Sequence, residues 1–379
     1  LNEWKIENAQ NGTTLLDFLS SRFGADNVKE ESGNIVVTVN GYKVTVNSNG
    51  NITDVEEVKP EKIGKATVGT KVEVNSTING EAYSDVNPII PAGFIAINDG
   101  ANWDAQGGPE VTKGLVIKDE NDNEFVWVPV PVLSEFAKET SGTDANGRKN
   151  YQGVLYDFSG TTWAEMTNYG QGTKSYREPD NVNYGKDGDS VYDNTSGFTN
   201  ITWTDTLYQE SFNKMVESVN KYKGFYVGRY ETSLSSNVAQ SKSGQTPMNS
   251  LNWWQQYENS ITYGNTKEGI TSEMIWGCQW DAMLRFILTG QDANHVTATT
   301  NVSHDLEEEY KTGGTDYTGG VTYNDKASNI FDLEGNVLEW TQEANSSNNR
   351  VLRGGNCGYS SSPSNRGNGF PTNSSAYER

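Results

Sequence analysis

Residues 35–46 read IVVTV, then Asn40-Gly41, then YKVTV, so two runs of alternating apolar and polar residues flank an Asn-Gly pair. Both central residues of a two-residue hairpin turn take positive φ angles, and Asn-Gly tolerates this well. The segment therefore predicts an antiparallel β-hairpin. Residues 51–58 are expected to add a third strand.

Residues 1–23 are expected to be helical, with an interruption at Asn11-Gly12 after which Thr13 or Thr14 could cap a second helix. An apolar face follows, and Gly24 ends the pattern. A helix packed on a small antiparallel sheet is thus the predicted first domain, residues 1–58. Residues 59–88 are polar and are predicted to be a connector that contains a strand at 67–74.

The charge balance limits the classes of partner. The chain has 379 residues, with 29 Lys and Arg against 50 Asp and Glu, which gives a net charge of −21. Phosphate binding needs a basic surface, so a nucleic-acid partner and adsorption to an anionic membrane are both disfavoured. Hydrophobic residues make up 34% of the chain, whereas Gly (39), Tyr (19) and Trp (10) are plentiful. This composition favours a loop-rich extracellular protein over a disordered one.

The sequence contains no apolar run close to the roughly 20 residues that cross a bilayer, and it has no initiator Met or signal peptide. We therefore expect the chain to begin after a segment that has been removed. Its two cysteines, Cys278 and Cys357, are too few for a disulfide framework or a Cys-rich zinc module. One bridge between them is an open alternative to two buried thiols.

A second domain is predicted from residue 89 to residue 379. Residues 114–118 and 124–130 predict a hairpin, and 138–200 are interpreted as long ordered loops because their aromatic residues need packing partners. Helical patterns span 204–221 and 273–289, and short strands are expected at 320–324 and 349–353.

Six motifs follow one another in this second part of the chain: FVWVP (125–129), GFYVGRYE (224–231), PMNSLNW (247–253), WGCQWD (276–281), GNVLEW (335–340) and RVLRGGN (350–356). In this order they resemble the sulfatase-modifying domain of formylglycine-generating enzymes, an elaborated C-type-lectin-like fold. The resemblance covers roughly residues 89–379. The implied fold class is α+β: a small stem of helix and antiparallel sheet, followed by a C-type-lectin-like domain with long loops.

The structural motif within this resemblance comprises Asn336, Glu339, Trp340, Arg353, Gly354 and Gly355. Trp340 is expected to fill the core beside a turn, with Asn336 and Glu339 satisfying loop backbone. Gly354-Gly355 permits positive φ and close backbone approach where a strand leaves the core. The family usually closes with a Gly-Phe-Arg strand after this region, which the present sequence lacks.

The chemistry of the enzymes is not expected to carry over. The resemblance implies a copper site made of two cysteines shortly after Arg-Gly-Gly, but only Cys357 follows that motif here. Iron-dependent relatives need a histidine cluster, and His295 and His304 are interpreted as loop residues. We therefore predict no catalysis and no cofactor, and leave the metal content unknown. A formylglycine-generating-type oxidoreductase, or another metal-dependent enzyme of this fold, is the alternative.

Acidic clusters leave calcium binding as an open alternative. Residues 119–123 (DENDN) lack the glycine and glutamate of a calcium loop and are interpreted as a hairpin turn. Asp187, Asp189 and Asp193 could bind calcium, although a solvated acidic loop is favoured. Residues 307–309 are interpreted as an exposed acidic face.

The first domain resembles a type IV pilin-like subunit without its hydrophobic helix segment, and a generic α+β stalk is the equal alternative. Together, the two resemblances predict an extracellular, cell-surface, pilus-associated protein for ligand binding or adhesion. Its expected partners are a surface protein or glycan and other pilin-like subunits, with no nucleic acid and no direct membrane span.

Residues 356–376 combine Asn, Ser and Gly with aromatic residues and hold almost no aliphatic side chains, a mixture typical of paratope loops. The resemblance implies an exposed face here, where similar proteins diversified by retroelements carry variable residues. An ordinary solvated loop is the alternative. The predicted ligand-binding residues are Asn356, Tyr359, Ser360, Asn365, Arg366, Asn368 and Phe370.

Overall fold

The structure is a computed structural model. It describes residues 5, 11–24, 27–39, 42–57, 62–97, 111–166, 205–289, 316–318, 321–323, 327–333, 337–344, 349–354, 363–366 and 370–371. Two compact units are present. The smaller comprises Leu1–Lys62 with Gly142–Lys149, and the larger comprises Ile63–Ser141 with Asn150–Arg379.

The smaller unit contains one described helix and a four-stranded antiparallel sheet. Helix α1 is Leu15–Phe23, capped by the Thr14 hydroxyl, which accepts from the Asp17 N–H at 3.1 Å. The strands, in sheet order, are β1 (Val28–Glu31), β2 (Asn34–Val39), β3 (Tyr42–Val46) and β4 (Ile52–Glu57).

The core of this unit lies between α1 and one face of the sheet. Leu15, Phe18 and Leu19 pack on Ile35 and Val37. Strand β2 pairs with β3 so that Val39 lies opposite Tyr42, which is the register of the predicted hairpin. Residues 40–41 themselves lie outside the described residues. The predicted third strand is present as β4, whereas β1, which is mostly exposed, was not predicted.

Residues 63–88 form part of the larger unit, so the connector and the strand predicted at 67–74 are not found there. The strands are instead β5 (Gly64–Lys65) and β6 (Ser76–Thr77), which run parallel. Ala66 and Val72 are buried in a cluster with Ile90 and Phe94. A few apolar side chains at irregular spacing suffice to fix this polar segment to the core.

The central sheet of the larger unit is antiparallel. Its strands are β7 (Ile95–Ile97), β8 (Val116–Lys118), β9 (Glu124–Pro129) and β14 (Gly224–Gly228), in the sheet order β14-β9-β8-β7. Strands β8 and β9 form the predicted hairpin. Trp127 on β9 is fully buried, and its indole donates to the Asp85 carbonyl at 3.0 Å.

Two hairpins replace part of the loops expected at 138–200. Strand β10 (Ala137–Thr143) pairs with β11 (Lys149–Gly153), and β12 (Tyr156–Ser159) pairs with β13 (Thr162–Glu165). Residues 167–204 lie outside the described residues. Two further short pairs occur later in the chain: β15 (Ser233–Ser235) with β16 (Val238–Gln240), and β17 (Asp316–Thr318) with β18 (Val321–Tyr323).

Three helices and a small sheet complete the described part of the larger unit. The helices are α2 (Asp205–Tyr222), α3 (Trp253–Ser260) and α4 (Gly277–Thr289). The predicted helix at 204–221 is confirmed, but the one predicted at 273–289 begins later, because the Gln279 side chain accepts from the Trp276 N–H at 3.0 Å and caps α4 there. The C-terminal sheet has the order β19 (Glu339–Ala344), β20 (Asn349–Arg353) and β21 (Phe370–Pro371).

Aromatic residues dominate the core between α2, α3 and the C-terminal sheet. The Trp253 and Trp254 rings meet edge to face at 4.7 Å, and Trp276 contacts Phe212 in the same manner at 4.8 Å. No helix in the described part of the chain combines the length and apolar character that a membrane crossing needs. The described residues form an α+β protein whose sheets are antiparallel, apart from the short parallel pair β5–β6.

Candidate functional site

The candidate site lies where the segment after β20 meets α4 and the C-terminal sheet. Strand β19 pairs with β20 so that Glu339 lies opposite Arg353 and Trp340 opposite Leu352. Trp340, Val351 and Leu352 are all buried in the main core cluster. The pairing fixes the end of β20, from which the predicted ligand-binding segment departs.

Four charged side chains form a buried cluster at this point. Asp281 on α4 and Glu343 on β19 supply two carboxylates, and neither side chain has any exposed surface. Arg353 on β20 pairs with Asp281 Oδ1 and lies 3.6 Å from Glu343 Oε2 through Nη1. Arg366 supplies the second cation. We call these four residues the ion-pair cluster.

Arg366 uses all of its donor nitrogens within the protein. Its Nη2 donates to Asp281 Oδ2 at 2.5 Å, and its Nε donates to Glu343 Oε1 at 2.7 Å. Its Nη1 donates to the Tyr156 carbonyl on β12 at 2.9 Å. Such charge-assisted, multidentate hydrogen bonds fix both the position and the orientation of a guanidinium.

The two carboxylates and two guanidiniums neutralise each other, which is the condition for keeping charges in the interior. Burial raises the pKa of Glu343, and the guanidiniums of Arg366 and Arg353 oppose that rise. Burial also lowers the pKa of Arg353, as does the charge of Arg366. Although burial opposes it, the pKa of Arg366 is raised by Asp281 and Glu343. Removing one member would leave its partners buried with an uncompensated charge.

A second contact fixes the same segment. The Trp280 indole on α4 donates to the Pro363 carbonyl at 2.9 Å. Further along, β21 pairs with β20, with Phe370 opposite Arg350. The segment is therefore attached at 363–366 and again at 370–371.

The predicted ligand-binding residues fall into four groups. Asn365 is exposed, as expected for a binding loop. Arg366 is only 9% exposed and engaged in the ion-pair cluster, so the exposed position expected for it is incorrect. Of Phe370 only the backbone is described. The remaining four lie outside the described residues: Asn356, Tyr359, Ser360 and Asn368.

Gly354 and Glu339 lie against each other at the end of β20. Gly354 has a φ of 74°, in the left-handed region that favours glycine. Glu339 is half-buried, its Oε2 is inaccessible, and no hydrogen-bond partner among the described residues reaches that atom. Burial raises the pKa of Glu339 well above its usual range, and the charge of Asp332 adds to the rise. Asn336 and Gly355, the other motif residues, lie outside the described residues.

The described residues contain no group of three or more His, Cys, Asp and Glu side chains suited to a metal ion. Cys278 is buried in the aromatic core. The other candidates for metal chemistry lie outside the described residues: Cys357, His295, His304, Asp187, Asp189, Asp193 and residues 307–309.

The DENDN segment forms the turn that its sequence predicts. Asp119 Oδ1 accepts from the backbone N–H groups of Asn121 and Asn123, at 2.8 and 2.9 Å. Asp119 Oδ2 accepts from Tyr263 Oη at 2.9 Å. All of these contacts are internal to the fold.

Sequence reasoning missed Asp281 and Glu343 as parts of the site. A signal was available, because Asp281 is the acidic residue in a largely apolar helix, GCQWDAMLRFILT, and Glu343 lies in a strand beside Trp340. Charged residues in such surroundings are rarely buried without a partner. The identity of the partners could not be read from this signal.

The sequence matches no family model, and no curated protein matches it at a significant level. Fold and site together define the described residues as an α+β protein in which strands β19 and β20 supply two members of a buried ion-pair cluster.

Proposed function

We propose that this chain is an extracellular, cell-surface protein that binds a ligand or mediates adhesion, without catalysis. In this proposal, the larger unit is a C-type-lectin-like domain of the sulfatase-modifying type, and the smaller unit is a pilin-like stem that can contact other pilin-like subunits. The ligand is a surface protein or a glycan, and it contacts the segment between β20 and the end of the chain.

One observation carries the proposal: the attachment of residues 363–366 to the core. Pro363 accepts a hydrogen bond from Trp280, and Arg366 bonds Asp281 and Glu343, while Asn365 between them is exposed. A polar segment held on a rigid support loses less conformational entropy when it binds. Binding residues on loops that a scaffold positions are a common arrangement.

A binding screen tests the proposal. The labelled full chain is applied to a glycan microarray and to a panel of purified extracellular proteins, beside a variant with Tyr359, Asn365 and Asn368 changed to Ala. We expect a ligand that the wild-type chain binds and the variant loses. A matched control carries three Ala substitutions at exposed positions of α2: Lys214, Glu217 and Ser218. Equal binding by the segment variant and the control would contradict the assignment of the surface.

Metal analysis tests the proposal that the chain is not a metal-dependent enzyme. Purified protein is assayed for copper, iron and calcium. Copper or iron at a one-to-one ratio would favour the alternative, an oxidoreductase of the formylglycine-generating type or another metal-dependent enzyme. Calcium at that ratio is compatible with binding, and a chelator would then show whether the ligand contact depends on it.

A further inference from the structure

We infer that Arg366 is a positioning residue that locks two segments distant in sequence, residues 363–366 and the β12–β13 hairpin, into one surface. The role of this surface in binding rests on the proposed function. The joining of the two segments is argued from the contacts of Arg366 and Tyr156 alone.

Arg366 joins three elements. Its guanidinium reaches Asp281 on α4, Glu343 on β19 and the Tyr156 carbonyl on β12. The last contact spans 210 positions of sequence. Because each nitrogen has a different partner, the guanidinium makes all of its hydrogen bonds in only one arrangement of the three elements.

Tyr156 is held from a second side. Its backbone N–H donates to Asp281 Oδ2 at 2.8 Å, so the carboxylate that binds Arg366 also binds the start of the hairpin. Its ring lies under the Arg285 guanidinium at 4.6 Å, and Arg285 in turn pairs with Glu135. Both backbone groups of Tyr156 thus contact the ion-pair cluster directly.

The hairpin carries exposed polar side chains beyond this anchor. Asp157, Ser159 and Thr162 are exposed, and the charge of Asp157 acts on Arg366. Asn365 is exposed next to Arg366 in sequence. The surface proposed for the ligand therefore includes the hairpin as well as the segment after β20.

Arg353 is a second cation beside the two carboxylates, so the role of Arg366 in joining the two segments can be tested while positive charge stays in the cluster. The contacts of Arg353 with Asp281 and Glu343 do not involve Arg366, so we expect both carboxylates to keep this cation beside them when Arg366 is changed. A lysine at position 366 would keep the charge but would offer a point contact in place of the fork. We therefore expect local loosening from Arg366→Lys, without loss of the fold.

Hydrogen exchange measured by mass spectrometry on the full chain tests the inference. In Arg366→Lys, peptides covering 363–366 and 156–165 should both exchange about tenfold faster or more, because loss of the multidentate guanidinium contacts lets both segments open locally. Peptides from α2 and from the sheet of the smaller unit should be unchanged. Thr161→Ala, at an exposed position of the β12–β13 hairpin, is the neighbouring control and should change neither segment.

A second control separates positioning from general support. Val351→Ala removes buried apolar volume in β20 and should lower the melting temperature without loosening the two segments selectively. The inference is overturned if the 363–366 peptide loosens while 156–165 does not, or if Arg366→Lys unfolds the whole larger unit. No ligand is used, so a failed binding screen and a failed exchange experiment are distinguishable.

Discussion

Gly354 lies so close to Glu339 that a methyl group on its α-carbon would overlap with Glu339 Oε2. The Gly354 φ of 74° adds a second obstacle, because residues with a β-carbon are strained in that region by roughly 1–2 kcal/mol. Gly354→Ala should therefore be more destabilising than the strain alone explains. Urea denaturation of the wild type and the variant measures the difference.

Two comparisons make this prediction specific. Gly244 has a φ of 71°, and no atom of the described residues lies within 4 Å of the position that a methyl group would take there, so Gly244→Ala reports the strain by itself. In a Glu339→Ala background the contact is absent, and Gly354→Ala should cost no more than Gly244→Ala. An equal cost of Gly354→Ala in both backgrounds would show that the carboxylate is not the obstacle.

Trp340 should be one of the most sensitive core positions. It is 3% exposed and packs in the aromatic cluster beside Val351 and Leu352. Trp340→Ala is expected to cost about 3–5 kcal/mol through cavity formation. Thermal and urea unfolding measure the loss, with Leu234→Ala at an exposed position as the control. An unchanged melting temperature would contradict the core position of this ring.

Asp119 should make stability depend on pH in the acid range. Although burial alone would raise it, the pKa of Asp119 is lowered by hydrogen bonds from Asn123, Tyr263 and the Asn121 N–H. The stabilisation is therefore present above the unfolded-state pKa of about 4 and is lost as the pH falls through the lower pKa of the folded state.

The corresponding variant is Asp119→Asn, which turns two hydrogen-bond-accepting oxygens into one. It should cost about 1–3 kcal/mol at pH 7, and the deficit should shrink as the pH falls below about 4. Urea unfolding across this range measures it. Asp122→Asn, at an exposed turn position, is the control. A deficit that stays constant with pH would mean that the charge of Asp119 contributes nothing.

The boundary between the units can be tested by truncation. A chain of residues 63–379 keeps every element of the central sheet, together with residues 142–149 of the smaller unit, and should melt cooperatively on its own. A chain of residues 89–379 loses Ala66 and Val72, which are buried against Ile90 and Phe94, and should be markedly less stable. Near-ultraviolet circular dichroism and thermal melting distinguish the two. Equal stability would restore the interpretation of 59–88 as a connector.

Patterns within short stretches of sequence predicted one hairpin, one helix and one further strand correctly. The alternation around Asn40-Gly41 predicted the β2–β3 hairpin, and helical periodicity predicted α2 almost to the residue. The strand at 349–353 was predicted with its observed bounds. Each depends on propensity, turn geometry and period within a short stretch, all of which are present in the sequence itself.

The predictions were wrong for two polar stretches of the chain. Residues 63–88 resemble a linker in composition, yet Ala66 and Val72 hold them to the core. Residues 137–165 resemble loops, yet they pair as hairpins, because backbone hydrogen bonds between strands need no apolar run.

The sequence by itself determined the α+β class, the acidic net charge, helix α2, and the β2–β3 and β8–β9 hairpins. Only the tertiary structure decided which charges meet. Arg366 resembles an exposed loop residue in its Asn- and Ser-rich surroundings, but it pairs with Asp281, 85 positions away. The residues around Arg366 in sequence do not indicate such a pair, because the same polar neighbours would surround an arginine that is exposed to water. The fold decides between them by bringing Asp281 and Glu343 together, where a buried negative charge requires a cation.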